Sequence, residues 1–193
     1  MSNVWKKKLL DIAQDAPETV ILAEDEASLY LQATLRRVWA PCGRTPVVYA
    51  SPCRKKTNFY GTLNLATGQV ITTRSGEMNA EATAAHLRQV LEAVPDHPIL
   101  LLWDRAPWHR GAAIRQLLAE HPRLELMRFP VAAPELNPQE QVWKATRQEV
   151  SHNHDQSKLD RLADSFEQHL KTTRFPCSLL DRYGFTAIRA MFT

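Results

Sequence analysis

The run Pro98-Ile99-Leu100-Leu101-Leu102-Trp103 constrains the fold more than any other stretch. It has the length of a strand and carries no polar side chain, so the strand it forms must be covered on both faces. A strand of that kind belongs in a sheet with helices packed on it. Among 193 residues, 44% are hydrophobic and 23% charged, which supplies such a core and excludes wholesale disorder. No apolar stretch approaches the roughly 18 residues of a membrane span. The start, MSNVWKKKLL, runs into Asp11, Gln14 and Asp15 and has no signal-peptide core. Cys42, Cys53 and Cys177 are an odd count without a C-x-x-C pair, which fits a reducing compartment and argues against a disulfide framework or zinc knuckle.

The rest of the pattern builds around that strand. Residues 4–14 predict a short helix with Trp5, Leu9 and Ile12 on one face, closed by Pro17. Thr19–Ala23 reads as a buried strand that ends at Glu24-Asp25-Glu26. A short strand is expected at Pro46–Ala50, another at Thr57–Leu65, and a return strand at Gln69–Arg74 after the turn Ala66-Thr67-Gly68. Asn79 is placed to cap a helix to about Val94, with Leu87, Val90, Leu91 and Val94 on one face. Further helices are predicted at about 110–120, 138–150 and 158–173, and a strand at 124–129. A meander followed by α, β, α, β, α gives a mixed sheet flanked by helices.

Three acids stand at informative places: Asp25 and Asp104 after strands, and Glu140 in the first turn of a helix. Polar groups just past strand ends line the crevice of an open α/β sheet. Converging carboxylates suit Mg²⁺, which takes oxygen ligands, and a pair of such ions clamps the oxygens of a phosphoryl displacement. Each acid also has a plainer reading. Asp25 and Asp104 suit turns, and Asn137-Pro138-Gln139-Glu140 is a capping-box pattern. His109 is suited to orienting a carboxylate, touching a phosphate or starting a helix. No H-x-x-x-H or H-E-x-x-H spacing supports zinc, and no G-x-x-x-x-G-K-[ST] or G-x-G-x-x-G loop cradles a nucleotide. The net charge is only +3, but it is unevenly spread. Arg36, Arg37, Arg44, Arg54, Lys55 and Lys56 fall in a window without an acid, interleaved with Trp39 and Tyr49. That window reads either as a surface that follows a phosphate backbone or as an ordinary solvated face. Lys6-Lys7-Lys8 is a smaller basic patch.

Four ordered blocks carry a resemblance: Leu22-Ala23-Glu24-Asp25-Glu26, Trp39-Ala40-Pro41-Cys42-Gly43-Arg44-Thr45-Pro46, Leu102-Trp103-Asp104-Arg105-Ala106-Pro107-Trp108-His109, and Pro134-Glu135-Leu136-Asn137-Pro138-Gln139-Glu140-Gln141-Val142-Trp143-Lys144. Over about residues 18–173 the chain resembles the bacterial insertion-sequence branch of the mariner-like DDE transposase superfamily. The resemblance implies an RNase H-like catalytic domain in which Asp25, Asp104 and Glu140 hold two Mg²⁺ or Mn²⁺ ions, with 35 residues between the last two acids. Glu26, Asn137 and Trp143 are expected in support, and DNA contacts are expected from the basic window (Arg36, Arg37, Arg44, Arg54, Lys55 and Lys56) and from Arg105 and His109. Arg105 replaces an asparagine frequent in the family.

The implied activity is metal-dependent DNA strand cleavage and strand transfer at terminal inverted repeats into a TA target, by a homodimer in the bacterial cytoplasm. A catalytically silent fragment that inhibits by binding DNA or dimerising, and another RNase H-like nuclease, remain alternatives. Family members carry N-terminal helix-turn-helix modules, and only about 18 residues precede the first strand here. The expected layout is therefore a linker or helix at 1–17, a catalytic domain at 18–175 and a tail at 176–193. The DNA-reading module is expected as a separate protein or a frameshift fusion partner.

Overall fold

A computed structural model describes residues 7, 11–12, 15–49, 51–130 and 136–175. The expected helix at 4–14 therefore lies mostly outside the described residues, as do the 176–193 tail, Cys177, and Pro134 and Glu135 of the last block. Five strands form one sheet: β1 (Val20–Tyr30), β2 (Lys56–Asn64), β3 (Val70–Ser75), β4 (Ile99–Trp103) and β5 (Leu124–Arg128). Their spatial order is β3-β2-β1-β4-β5. The first three pair antiparallel, whereas β4 and β5 run parallel to β1. Among the described residues the sheet is packed by α1 (Ala80–Ala93), α2 (Ala112–Glu120), α3 (Gln139–Thr146) and α4 (Leu159–Thr172). A 3₁₀ turn, Pro107–His109, precedes α2, and a π-helical turn, Arg147–Ser151, continues α3.

Side-chain alternation along the strands divides the core in two. Ile21, Ala23, Phe59, Leu63, Leu100 and Leu102 meet α3 and α4 through Trp143, Phe166 and Leu170. Leu22, Ile99, Leu101 and Trp103 meet α1 and α2 through Leu87, Val90, Leu91, Ile114 and Leu117. Every residue of β4 is buried, as its unbroken apolar sequence requires. Each large side chain so covered contributes about 1.5–3 kcal/mol. The α1 stripe is buried as its spacing predicts, and the Asn79 side chain accepts from Ala82 N, a cap that stabilises by about 1 kcal/mol.

Two expectations are corrected. The first strand does not stop at the acids: β1 continues to Tyr30, and Asp25 pairs with Gly61 in mid-strand. Its last residues, Ala27 to Tyr30, complete the ladder with β2, which overrides the break that three consecutive acids suggest. The residues described at 46–49 form no strand. Both neighbours of β2 in the sheet are already taken, by β1 and β3, and Val47 and Tyr49 are exposed.

Candidate active site

The parallel pairing of β1 with β4 ends at Ala23 and Leu102. Beyond that point β1 runs on through Asp25, while β4 gives way after Trp103 to a turn that begins with Asp104. Both acids thus stand just past the end of the parallel β1–β4 pairing, where the two strands part and a ligand crevice can open. Asn137 delivers the third acid. Its Oδ1 accepts from Gln139 N at 3.1 Å, and Pro138 already has helical dihedrals (φ −62°, ψ −27°), so α3 starts with Glu140 in its first turn. Asn137 Nδ2 also donates to Glu24 O at 3.2 Å, which pins the helix start to β1.

Asp25 lies on the α3 side of the sheet. Trp143 Nε1 donates to its Oδ2 at 3.1 Å. Burial, and then the Glu140 and Glu26 carboxylates, push Asp25 up to about 8, with Asp104 adding to the rise. Glu140 itself is exposed. The glycine opposite Asp25 is needed for this packing: a Cβ on Gly61 would stand 2.5 Å from Trp143 Cη2 and 2.4 Å from Gln139 Nε2.

Asp104 behaves in the opposite way. His109, the backbone N–H of Ala106 and the charge of the imidazole hold it below the ordinary carboxylate range, against the effect of burial. Ala106 N donates to its Oδ1 at 2.8 Å, and His109 Nδ1 stands 3.0 Å from the same oxygen in a bent approach. Trp143 thus engages Oδ2 of Asp25, and the Ala106 N–H engages Oδ1 of Asp104.

The other face of β1 carries Glu24 and Glu26. His109 Nε2 lies 2.9 Å from Glu26 Oε1 and 3.5 Å from Glu24 Oε2, and Trp108 Nε1 donates to Glu26 Oε1 at 2.5 Å. Burial alone would lower His109, but Asp104, Glu26 and Glu24 raise it to about 10. Glu24 is wholly buried, and burial, reinforced by Glu26, holds its carboxyl well above the usual range. His109 is corrected here as a DNA-facing residue. It is 4% exposed and walled in by carboxylates, in the carboxylate-orienting geometry rather than the phosphate-touching one.

The basic residues sit elsewhere. Arg36, Arg37, Arg44, Arg54, Lys55 and Lys56 are all exposed, as is Arg105 beside Asp104. The first five belong to an arm between β1 and β2, closed at its neck by Leu31 N donating to Lys55 O. Arg36 is tied through its backbone to the Asn153 side chain, by bonds of 2.8 and 3.1 Å. The exposed large apolar residues Leu35, Val38, Trp39, Val47 and Tyr49 lie on the same arm, with Tyr30 at its base. Cys42 and Cys53 are free thiols there.

Sequence reasoning missed Glu24, Trp108 and Gly61. The alternation Glu24-Asp25-Glu26 was the available signal for the first, since a strand that continues must put Glu24 and Glu26 on the face opposite Asp25.

Residues 20–163 match the family described as DDE superfamily endonuclease, well over half of the chain. The chain belongs to that family. It is 24% identical over 157 residues to the insertion element IS630 uncharacterized 39 kDa protein of Shigella sonnei, covering 80% of this chain and 46% of that one. Among solved structures it resembles the catalytic domain of Mos1 mariner transposase, with a TM-score of 0.64 and 17% identity, covering 99% of this chain and 87% of that one. It also resembles the Mos1 transposase in a paired-end complex with the left transposon end, with a TM-score of 0.67 and 18% identity, covering 99% and 58%. The fold of this DDE-family chain is thus RNase H-like, as the meander and its following units suggest. The chain spans about half the length of the IS630 protein and of the longer Mos1 chain. No helix among the described residues is long and apolar enough to cross a membrane.

Proposed function

We propose that this chain is the catalytic domain of an insertion-sequence transposase, which cuts a DNA strand and transfers the freed 3′-hydroxyl to target DNA. The observation that supports the reading is that the Glu140 and Asp104 carboxylates, from two other parts of the chain, both bear electrostatically on Asp25. The donor set fits a hard divalent cation. All three are carboxylates, and Asp25 ionises with difficulty because it is buried and because other acids face it, a penalty that a cation offsets. Asp25 and Asp104 would share one Mg²⁺ or Mn²⁺, and Glu140 would help hold a second. When bound, such ions lower the pKa of an attacking water and stabilise the departing oxygen. Solved Mos1 complexes with Mn and with Mg support this choice.

The protein's own part is to hold the acids. Trp143 steadies Asp25, His109 and Ala106 N–H steady Asp104, and Asn137 sets the start of α3. The basic arm and Arg105 would follow the phosphate backbone of a terminal inverted repeat, with a TA target beyond it. Residues 18–175 would form the catalytic unit, acting as a homodimer in the cytoplasm with a helix-turn-helix partner, fused or separate.

The test is cleavage of a transposon-end duplex in Mg²⁺ or Mn²⁺ by the chain joined to its DNA-reading partner. Cleavage that disappears in Asp104→Asn is expected. Undiminished cleavage by that variant would show that the site is wrongly assigned. Cleavage of RNA–DNA hybrids in preference to the duplex would move the reading to another RNase H-like nuclease.

A further inference from the structure

We propose that His109 is a positioning residue for Asp104, braced from behind by Glu26 and Trp108, so that the segment Glu24-Asp25-Glu26 of β1 sets the geometry of both aspartates. The inference deepens the metal-binding role proposed above and rests on it. Asp104 begins a turn, and its side chain is 50% exposed, so nothing on its own element holds it except the local bond from Ala106 N. His109 ties that carboxylate to the core. Its ring stacks on buried Trp103 with centroids 4.2 Å apart and planes 11° apart. The 3₁₀ turn that begins at Pro107 fixes its backbone.

With the ring so placed, Nδ1 faces Asp104 Oδ1 at 3.0 Å and Nε2 faces Glu26 Oε1 at 2.9 Å. Glu26 is held in turn by Trp108 Nε1. Glu24, fully buried with neither oxygen in a straight hydrogen bond, closes the back of the pocket 3.5 Å from Nε2. The chain of contacts ends on Asp104 Oδ1, so Oδ2 is the oxygen left to meet an ion. β1 therefore reaches Asp25 directly on one face and Asp104 through His109 on the other. A competing occupant exists: Glu24, Glu26 and His109 offer donor atoms within 4.8 Å of one another, close enough to hold an ion themselves. Glu26 Oε1 already receives Trp108 Nε1 and faces His109 Nε2, which favours the hydrogen-bonded brace.

Mn²⁺ titration of the chain by calorimetry separates these. Outer-shell partners of metal ligands govern affinity by about ten- to a hundredfold. His109→Ala is expected to weaken Mn²⁺ binding by about that factor, and His109→Asn, which keeps a donor on the Asp104 side, to recover part of it. Glu26→Gln should weaken binding in the wild-type background and do nothing further in His109→Ala, because both act through one chain of contacts. Trp108→Phe, which keeps an aromatic ring, should cause a smaller loss of the same sign even where the other variants fail to fold. If Trp108→Phe and any folded His109 variant bind Mn²⁺ as wild type does, with only thermal stability reduced, the brace is structural and the inference falls. Mn²⁺ binding that survives Asp25→Asn with Asp104→Asn but is lost in Glu26→Gln would place the ion in the Glu24, Glu26, His109 cluster and overturn it as well. If wild-type binding is present but indifferent to both aspartates and to the cluster, the proposed metal site itself fails, a result distinct from failure of the brace alone.

Discussion

His86 and His109 are buried on the same face of the sheet, one ring between two hydroxyls and the other among three carboxylates. Thr62 Oγ1 lies 2.8 Å from His86 Nε2, and Thr73 Oγ1 lies 2.8 Å from Nδ1. Thr73 gives its own hydrogen to Gln89 Oε1, so it accepts from Nδ1–H, and the His86 ring is a neutral Nδ1–H tautomer. Burial pushes His86 down to about 3, whereas the carboxylates around His109 overcome burial and raise it to about 10. Glu24 and Thr62 face each other across the β1–β2 ladder, so the two surroundings meet at one cross-strand pair. Burial alone does not decide the charge of a histidine in this fold. The chemistry of the neighbouring strand position does.

The largest way to break the contrast is His109→Leu. It leaves Glu26 and Asp104 without their shared cation, and loss of one member of a buried charged cluster costs about 3–5 kcal/mol. Urea unfolding at neutral pH checks it. His86→Leu should cost less, about 1–3 kcal/mol, because it strands hydroxyls rather than charges.

The two variants should also differ in where they act on the pH axis. His86 lies below its ordinary value of 6.5, so its contribution is present above that pH and is lost as pH falls towards about 3. His109 lies above 6.5, so its contribution is present below that pH and is lost as pH rises through about 10. Melting temperatures should therefore flatten on the acid side in His86→Leu and on the alkaline side in His109→Leu. Parallel curves for the two variants would contradict the assignment. The smallest effect belongs to Glu24→Gln. A neutral amide replaces a carboxyl that burial holds well above the usual range, so the loss should stay under about 1 kcal/mol. A loss as large as that of His109→Leu would mean that Glu24 is ionised.

The legible parts of the sequence share a physical reason. The residues 99–103 can only be an interior strand, and the stripe Leu87, Val90, Leu91, Val94 can only be a covered helical face. Asp104 was visible because it ends that apolar run, and Glu140 because Asn137-Pro138 announces the start of a helix. The length of β1 was hidden because Glu24, Asp25 and Glu26 read as a break, and only their partners on both faces make them tolerable within a sheet. Those partners, Trp143, Trp108 and His109, come from 82 or more residues away and left no local trace. The arm misled in the other direction. Val47, Val48 and Tyr49 have strand propensity, but propensity without a neighbouring strand forms no ladder.

Diffraction from crystals soaked in Mn²⁺, recorded for anomalous scattering, tests the central claim most directly. The account predicts an anomalous peak between the carboxylates of Asp25 and Asp104. A peak enclosed by Glu24, Glu26 and His109, with none at the aspartates, would contradict it.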